Sequence, residues 1–232
     1  MRHLVVLTLL ISLISCLDDP GRKPADIKRD DIFFDYKVRG EETDSDVTVY
    51  IQFRSGGPNG RELGLAESEK LQLDNDTMSS ASAKLTGTYY EIRKPLDQFN
   101  GRHAIVFTDE NDRQYREDFE FHTFRLKPGI PRVVPRRDLK IGIDGLRSGD
   151  PVHVSLTDTS FITRDIVEID TVSNGQISIA AEKLKNLTDG PVVLVLSHEM
   201  GKPVSHGTKA GGRIIVGFGL QRVFELKGEP VK

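Results

Sequence analysis

The chain has 232 residues, and its 32 lysines and arginines against 35 aspartates and glutamates give a formal net charge of −3. This mildly acidic balance argues against nucleic acid as a partner, because it offers no general attraction to a polyanion. Charged residues at 29% and hydrophobic residues at 37% are typical of a folded globular protein rather than a disordered chain. The single cysteine excludes a disulfide-stapled fold, so we expect an apolar core alone to carry the stability.

The N-terminal segment carries an apolar run, residues 4–14, directly after a basic start at Arg2. At about 11 residues the run is too short to span a bilayer, which needs roughly 20, but it suits the apolar region of a signal peptide. It ends in Leu13-Ile14-Ser15-Cys16, which resembles the cleavage motif of bacterial lipoprotein signals. The resemblance implies removal of residues 1–15 and lipidation of Cys16. The alternatives are an ordinary secretory signal with a stray cysteine, or a short membrane-associated helix.

Residues 16–27 combine proline, glycine and charged residues without apolar periodicity, which predicts a flexible, lipidated tether. Leu17 stands where an Asp implies inner-membrane retention in enterobacterial lipoproteins, and its absence resembles the outer-membrane sorting pattern. The pair Asp18-Asp19 resembles the surface-export signal of some diderm lipoproteins. These resemblances imply an outer-membrane protein on the periplasmic face or the cell surface. Its partner there is the lipid bilayer, reached through acylated Cys16.

Alternating apolar residues dominate the rest of the chain. Apolar side chains occupy every second position of residues 47–53, and the same pattern returns at residues 139–143 and 152–156. This period of two predicts half-buried strands. Asn174-Gly175 predicts a hairpin turn, and only residues 180–187 suggest a short helix. The predicted fold class is therefore all-β.

A proline-rich, basic segment, residues 125–137, divides the mature chain into nearly equal parts. Proline cannot donate a hydrogen bond to a sheet ladder, so this segment is predicted to be a linker rather than a central strand. It separates a predicted N-terminal β-sandwich, residues 28–124, from a C-terminal β-sandwich, residues 138–228. A single larger β-sandwich or an elongated barrel is the alternative.

The two parts share a crossover pattern, a leucine-anchored stretch that ends in glycine and precedes an alternating strand. It occurs at residues 94–101 and again at residues 183–190. The pattern resembles the connection from strand E to strand F in immunoglobulin-like and fibronectin type III sandwiches. The resemblance implies two tandem immunoglobulin-like β-sandwich domains, as in uncharacterised envelope lipoproteins. The Cys…Trp…Cys signature of true immunoglobulin domains is absent, since the chain has no tryptophan.

No motif of the sequence predicts catalysis, a cofactor or a metal site. His198-Glu199 lacks the second histidine of a zinc-protease helix, and His206 follows a proline in a stretch expected to form turns. The acidic residues 109–112 lack the spacing, the glycine and the final glutamate of an EF-hand. The glycine-rich residues 54–61 and 209–213 lack the features of phosphate-binding loops, and Gly-x-Ser-x-Gly does not occur. We therefore expect a protein that is not an enzyme and uses no cofactor.

Two groups of residues are candidates for binding. Tyr50 is predicted on the outward face of its strand, and Tyr89 and Tyr90 are adjacent, so only one of them can face the core. Arg136 and Arg137 belong to the basic linker. That linker is either a solvated spacer or a patch for anionic headgroups, glycans or an acidic partner.

These features favour a membrane-anchored, non-catalytic envelope lipoprotein that binds or scaffolds a protein partner. The alternative is a glycan-binding accessory lipoprotein, because the layout resembles the anchored tandem-domain proteins of polysaccharide-uptake systems. Sugars stack on exposed aromatic rings, so the absence of tryptophan counts against a carbohydrate platform. A second ring coplanar with Tyr50 on an exposed face would favour the glycan, whereas one apolar patch on a polar surface would favour a protein partner.

Overall fold

The computed structural model describes residues 29–83, 87–159 and 165–228. Cys16, the signal peptide and the tether lie outside these ranges, so the lipidation motif remains a prediction. Within the described ranges, no helix combines the length and the apolar character that crossing a membrane requires. Strands dominate the described chain, and the predicted all-β class is confirmed.

The first half of the chain forms a sandwich of nine strands. They are β1 (Ile32–Glu41), β2 (Asp46–Ser55), β3 (Glu62–Leu63), β4 (Lys70–Leu73), β5 (Asp76–Thr77), β6 (Ser79–Ala83), β7 (Gly87–Pro95), β8 (Gly101–Thr108) and β9 (Gln114–Phe121). One sheet has the order β6-β7-β2-β1 and the other has the order β5-β4-β8-β9. With β1, β2, β4, β6, β7, β8 and β9 taken as strands A to G, the sheets are D-E-B-A and C-F-G. This is the strand order of a constant-type immunoglobulin domain.

The predicted apolar face of β2 lies in the core of this sandwich. Val49, Ile51 and Phe53 are fully buried. The ring centroid of Phe53 lies 4.9 Å from that of Phe107 on β8 and 5.7 Å from that of Phe34 on β1. Tilted and edge-to-face ring contacts of this kind stabilise a core beyond the area they bury. Aromatic rings from both sheets therefore close the first sandwich.

The second half forms a sandwich of eight strands and one short helix. They are β10 (Arg125–Leu126), β11 (Val133–Pro135), β12 (Leu139–Asp144), β13 (Pro151–Asp158), β14 (Ile166–Thr171), β15 (Gln176–Ile179), α1 (Ala181–Leu184), β16 (Gly190–Thr208) and β17 (Gly211–Lys227). The sheets have the orders β10-β12-β15 and β14-β13-β16-β17. In immunoglobulin letters these are A-B-E and C′-C-F-G, with the extra strand beside C as in variable-type domains. The strand orders of both halves confirm the predicted immunoglobulin-like sandwiches.

Both predicted crossovers change from one sheet to the other through a short helical turn. A 3₁₀ turn at Leu96–Gln98 joins β7 to β8, and α1 joins β15 to β16. Leu184 and Leu187 are buried and anchor the second crossover. The crossover pattern read from the sequence is therefore confirmed in both halves.

The proline-rich segment, residues 125–137, is not uniformly solvated. Strand β10 pairs with β12, and β11 pairs in parallel with β17. Val134 is buried. The strands are short and lie at sheet edges, where proline is tolerated. The expectation of a solvated linker is therefore wrong at the two ends of this segment, whereas the domain boundaries at residues 124 and 138 remain a prediction.

The hairpin of β16 and β17 extends from the second sandwich onto the first. We call its outer half, residues 199–217, the arm. Residues 212–219 of β17 pair in parallel with residues 34–41 of β1, so one ten-stranded sheet runs through both sandwiches. The two strands approach closely at Gly212, where a Cβ atom would lie 2.6 Å from the carbonyl oxygen of Phe34. The arm therefore covers the A edge of the first sandwich.

Two buried carboxylates of the first sandwich form ion pairs with cations on the arm. Asp35 of β1 is 2% exposed and accepts two hydrogen bonds from the guanidinium of Arg213, at 2.8 and 3.1 Å. Glu117 of β9 is equally buried, lies 2.7 Å from Nζ of Lys202, and accepts a hydrogen bond from the backbone N–H of Ser205. An unpaired buried carboxylate is costly. The arm is therefore part of the electrostatic structure of the first sandwich.

Candidate interaction surface

Tyr90 points into the first sandwich, and Tyr89 points outward. Tyr90 is buried, and its hydroxyl accepts a hydrogen bond from the backbone N–H of Leu65 at 2.7 Å. Burial raises the pKa of Tyr90 above its ordinary value. The structure thus decides between the two adjacent tyrosines: Tyr90 belongs to the core and Tyr89 to the surface.

Tyr50 and Tyr89 lie together on the outer face of the first sandwich. Their ring centroids are 5.0 Å apart, and their planes differ by 24°. Lys37, which lies opposite Tyr50 on β1, places its ammonium 6.0 Å from the Tyr50 ring centroid. Tyr50 therefore lies between Lys37 on one neighbouring strand and Tyr89 on the other. Such cross-strand ladders stabilise a sheet, and the two rings stack on each other instead of lying side by side in one plane.

Arg136 holds the second crossover against the proline-rich segment. Its guanidinium donates to a carboxylate oxygen of Asp189 at 2.9 and 2.7 Å and also to the carbonyl oxygen of Leu184. The pKa of Asp189 is lowered by the backbone N–H of Gly228 and by Arg136. Arg137, in contrast, is exposed. The two arginines therefore do not form one binding unit, and a binding role for either remains a prediction.

His103, His198 and His206 make hydrogen bonds within the fold. The ring nitrogens of His103 lie 2.6 Å from a carboxylate oxygen of Asp74 and 2.8 Å from the carbonyl oxygen of Phe99. His206, predicted in a stretch of turns, lies inside strand β16 together with His198, because the hairpin continues into the arm. In the described part of the chain, no group of three His, Cys, Asp or Glu residues is arranged to hold a metal ion.

A cleft of about 640 Å³ lies between the arm and strands β8 and β9. Phe119, Ile214 and Val216 contribute apolar side chains to its lining. Arg102 and Glu120 also line it and pair with each other at 2.8 Å, which lowers the pKa of Glu120. Acid–base catalysis needs titratable groups that converge on a reacting atom, and the charges of this pair already satisfy each other. The cleft is the seam along which the arm packs on the first sandwich.

The exposed apolar side chains of the second sandwich gather on one face. In the described ranges, six large apolar side chains are exposed, and five of them share the outer face of β14, β13, β16, β17 and β11. We call these five the apolar face: Val133, Val167, Ile169, Val195 and Val223. Val167, Ile169 and Val223 are 76%, 64% and 62% exposed. The sixth, Met200, lines the cleft.

The strand register places these side chains on one side of the sheet. Val167 lies opposite Ser155, which lies opposite Val195. Val223 lies opposite Val193, two residues before Val195. Directly opposite residues share a face, and so do residues two apart on one strand. The apolar side chains therefore form a band across the sheet from β14 towards β11.

The sequence carries a signal for this face in the strand that follows the second crossover. The crossover pattern predicts an alternating strand here, but residues 192–196 form an unbroken apolar run. Such runs are typical of strands covered on both faces, whereas alternation is typical of strands covered on one. Val192, Leu194 and Leu196 fill the core, and Val195 is exposed on the opposite side. The run therefore indicates a second cover that no described part of the chain supplies.

Comparisons with known proteins add little to this geometry. No protein family and no curated protein matches the sequence. Among solved structures, the two immunoglobulin domains of DIP-gamma align with 87% of this chain and 99% of their own, at 8% identity and a TM-score of 0.24. SGBP-B of a Bacteroides ovatus mixed-linkage glucan utilization locus, in complex with a heptasaccharide, aligns over 86% of this chain and 61% of its own, at 12% identity and a TM-score of 0.22. Escherichia coli alpha-2-macroglobulin aligns over 81% and 20%, at 14% identity and a TM-score of 0.25. At these TM-scores the likeness carries no argument, and the immunoglobulin-like assignment rests on the strand order.

Proposed function

We propose that the protein is a non-catalytic interaction module of the cell envelope, held on the outer membrane by lipid on Cys16. It binds a protein partner through the apolar face. The observation that carries this proposal is the placement of five exposed, branched apolar side chains on one face of the second sandwich. Contiguous exposed apolar surface on a globular protein typically marks an interaction site.

The apolar face lies far from the point where the described chain enters the first sandwich. At the tip of the arm the hydroxyl of Thr208 donates to the carbonyl oxygen of Ile32 at 2.6 Å, so the described chain enters the first sandwich there. Val223 lies twelve residues beyond Gly211 on β17, which at about 3.4 Å per residue is about 40 Å. The apolar face is therefore separated along β17 from the entry point of the described chain, which leaves it open to a partner when the lipid on Cys16 is in the membrane.

The two sandwiches hold this arrangement as one unit. Phe218 of β17 contacts Phe121 and Phe124 edge to face, with ring centroids 6.2 and 5.6 Å apart. The buried apolar side chains of both sandwiches form one continuous cluster. The ion pairs between the arm and β1 and β9 add to these contacts. A partner bound to the second sandwich is thus held at a fixed distance from the first.

A glycan-binding role would rest on the pair of Tyr50 and Tyr89. A carbohydrate platform needs ring faces that are free to stack on a sugar. Tyr50 has Lys37 on one side and Tyr89 on the other, so side chains from both neighbouring strands contact its ring. Glycan binding by an accessory protein of polysaccharide uptake is therefore the weaker candidate. If the protein binds a soluble polysaccharide and Tyr89→Ala abolishes that binding, glycan binding becomes the stronger candidate.

Cross-linking of the anchored protein in its native envelope, followed by affinity capture, tests the proposal. Val167→Lys and Ile169→Lys each place a charge in the apolar face, and we expect each to lower recovery of the partner at least about tenfold, as loss of an interface anchor does. Met200→Lys is the matched control, because it makes the same change at an exposed apolar residue away from this face. Unchanged recovery with both face variants would contradict the proposal.

A further inference from the structure

We infer that the partner of the apolar face is a second copy of this chain, and that two copies pack face to face through their second sandwiches. This inference rests on the proposed function, because it names the partner of the same surface. Three features of the face carry it: its uncharged middle, its branched apolar side chains and the protection of its edge strand.

The middle of the apolar face carries no charged side chain, and the charge at its β11 end is Glu225, directly opposite Val133. The outward neighbours of Val195 are Ser155 and Gln221, and the next row holds Thr157 and Val223. In a two-fold contact, groups near the axis meet their own copies, so a charge there would meet a like charge. The whole chain has a net charge of −3, so two copies repel each other except where the approaching surfaces are neutral. A partner recognised by charge would instead require opposite charges on this face.

The side chains of the face suit packing against a second sheet. Its five apolar side chains are four valines and one isoleucine, whose χ1 angles are restricted, so little side-chain entropy is lost when they are covered. Two sheet faces of this kind pack about 10 Å apart with their strands within about 30° of each other. Each copy therefore offers an apolar sheet face against which the other can pack.

The edge strand β14 is protected against strand addition, which is the other route to self-association. Glu168 forms an ion pair with Lys183. Asp170 accepts hydrogen bonds from the backbone N–H groups of Thr171 and Ser178, at 2.7 and 2.8 Å. Inward-pointing charged residues on an edge strand discourage pairing with another chain. Contact through the face is thus favoured over contact through the edge.

Sedimentation velocity of the mature chain, residues 16–232 with Cys16→Ser, tests the inference. This chain contains every described residue and no other cysteine. We expect a monomer–dimer equilibrium between about 1 and 100 μM, the range of a moderate interface. Val195→Lys and Ile169→Lys should weaken dimerisation at least about tenfold. Ile169→Lys should leave the stability of the monomer unchanged at protein concentrations below those at which the dimer forms, because its side chain is 64% exposed. Met200→Lys should leave the dimer unchanged.

A single introduced cysteine tests the geometry of the contact. Val195→Cys, near the middle of the face, should be joined to its copy by a short thiol-reactive cross-linker, whereas Met200→Cys should not. A wild-type chain that stays monomeric up to about 100 μM overturns the inference, and so does a dimer that both face variants leave intact. If envelope capture then recovers a different protein that Ile169→Lys releases, the proposed function stands without this inference. If the lysine variants change neither experiment, both are wrong.

Discussion

Replacing Arg213 with methionine removes the arm's cation from a buried carboxylate. Asp35 is 2% exposed, and its two hydrogen bonds from Arg213 join the second sandwich to β1 of the first. In the variant, Arg54 remains as the nearby cation, with its Nε 3.9 Å from a carboxylate oxygen of Asp35. We therefore expect Arg213→Met to destabilise the whole protein, including the first sandwich.

The size of the effect follows from the burial of the two partners. Breaking a buried ion pair by removing one partner costs about 3–5 kcal/mol. The Arg213 side chain is 45% exposed and Arg54 stays in place, so we expect the lower end, about 3 kcal/mol. In a chain of this size each kcal/mol lowers the melting temperature by about 2–4 °C, which gives a fall of about 6–12 °C.

Urea unfolding of the mature Cys16→Ser chain measures this loss. Arg39→Met is the matched control, because Arg39 also pairs from β1 to the arm, at 2.6 Å from Glu199, but its side chain is 66% exposed. We expect the control to lose about 0–1 kcal/mol. Adding Asp35→Asn to Arg213→Met should recover part of the stability, since the buried charge is then gone. If Arg213→Met costs no more than Arg39→Met, the first sandwich does not depend on the arm and the reasoning is refuted.

Three further predictions concern other parts of the chain. Arg222 lowers the pKa of Glu42 from its ordinary value of 4.5. The stabilisation by this pair is therefore present above that value and is lost as the pH falls through the lowered pKa. Arg222→Gln should flatten the loss of stability in urea melts below about pH 4.5. Cys16→Ala should leave an uncleaved precursor without acyl label, and a labelled variant would exclude lipidation at Cys16. Limited proteolysis should first cut within residues 127–132, between β10 and β11. The two halves of the cut chain should stay together in gel filtration because the arm joins them. Separated halves would contradict the docking of the arm.

The sequence predicted those parts of the fold that leave a local pattern. One-sided burial produces the period of two in residues 47–53, and the structure places that apolar face in the core. The crossovers at residues 94–101 and 183–190 could be recognised because a leucine and a closing glycine recur at similar spacing. The same period of two predicted that Tyr50 lies on the outward side of β2, where the structure places it. It could not choose between Tyr89 and Tyr90, because both neighbours are the same residue type.

The arm could not be predicted because its partners lie far away in the sequence. Residues 199–217 show little apolar alternation, since backbone pairing with β1 and ion pairs hold much of this segment in place. Arg213 and Asp35 are separated by most of the chain, and such pairs leave no local signature. The same holds for Arg136, which looked like a solvated linker charge until the structure placed Asp189 beside it. Long-range polar contacts thus account for much of what the sequence did not show.

The apolar face was missed for a different reason. Residues 192–196 predicted a strand, but a continuous apolar run does not say whether the second cover comes from the same chain or from another molecule. Residues 166–171 have apolar side chains on both sides of the strand, so their period does not identify an inner face. Only the strand register brings Val167, Val195 and Val223 to one surface.

A photo-cross-linking amino acid at position 195 of the anchored protein, in its native envelope, tests most directly whether the apolar face binds a protein. Ser178 is the matched position, because it is exposed on the outer face of the other sheet of the same sandwich. We predict a covalent adduct of defined mass from position 195, equal to twice the chain mass if the partner is a second copy, and no such adduct from position 178. The absence of an adduct at position 195, or equal adducts at both positions, would contradict the central claim.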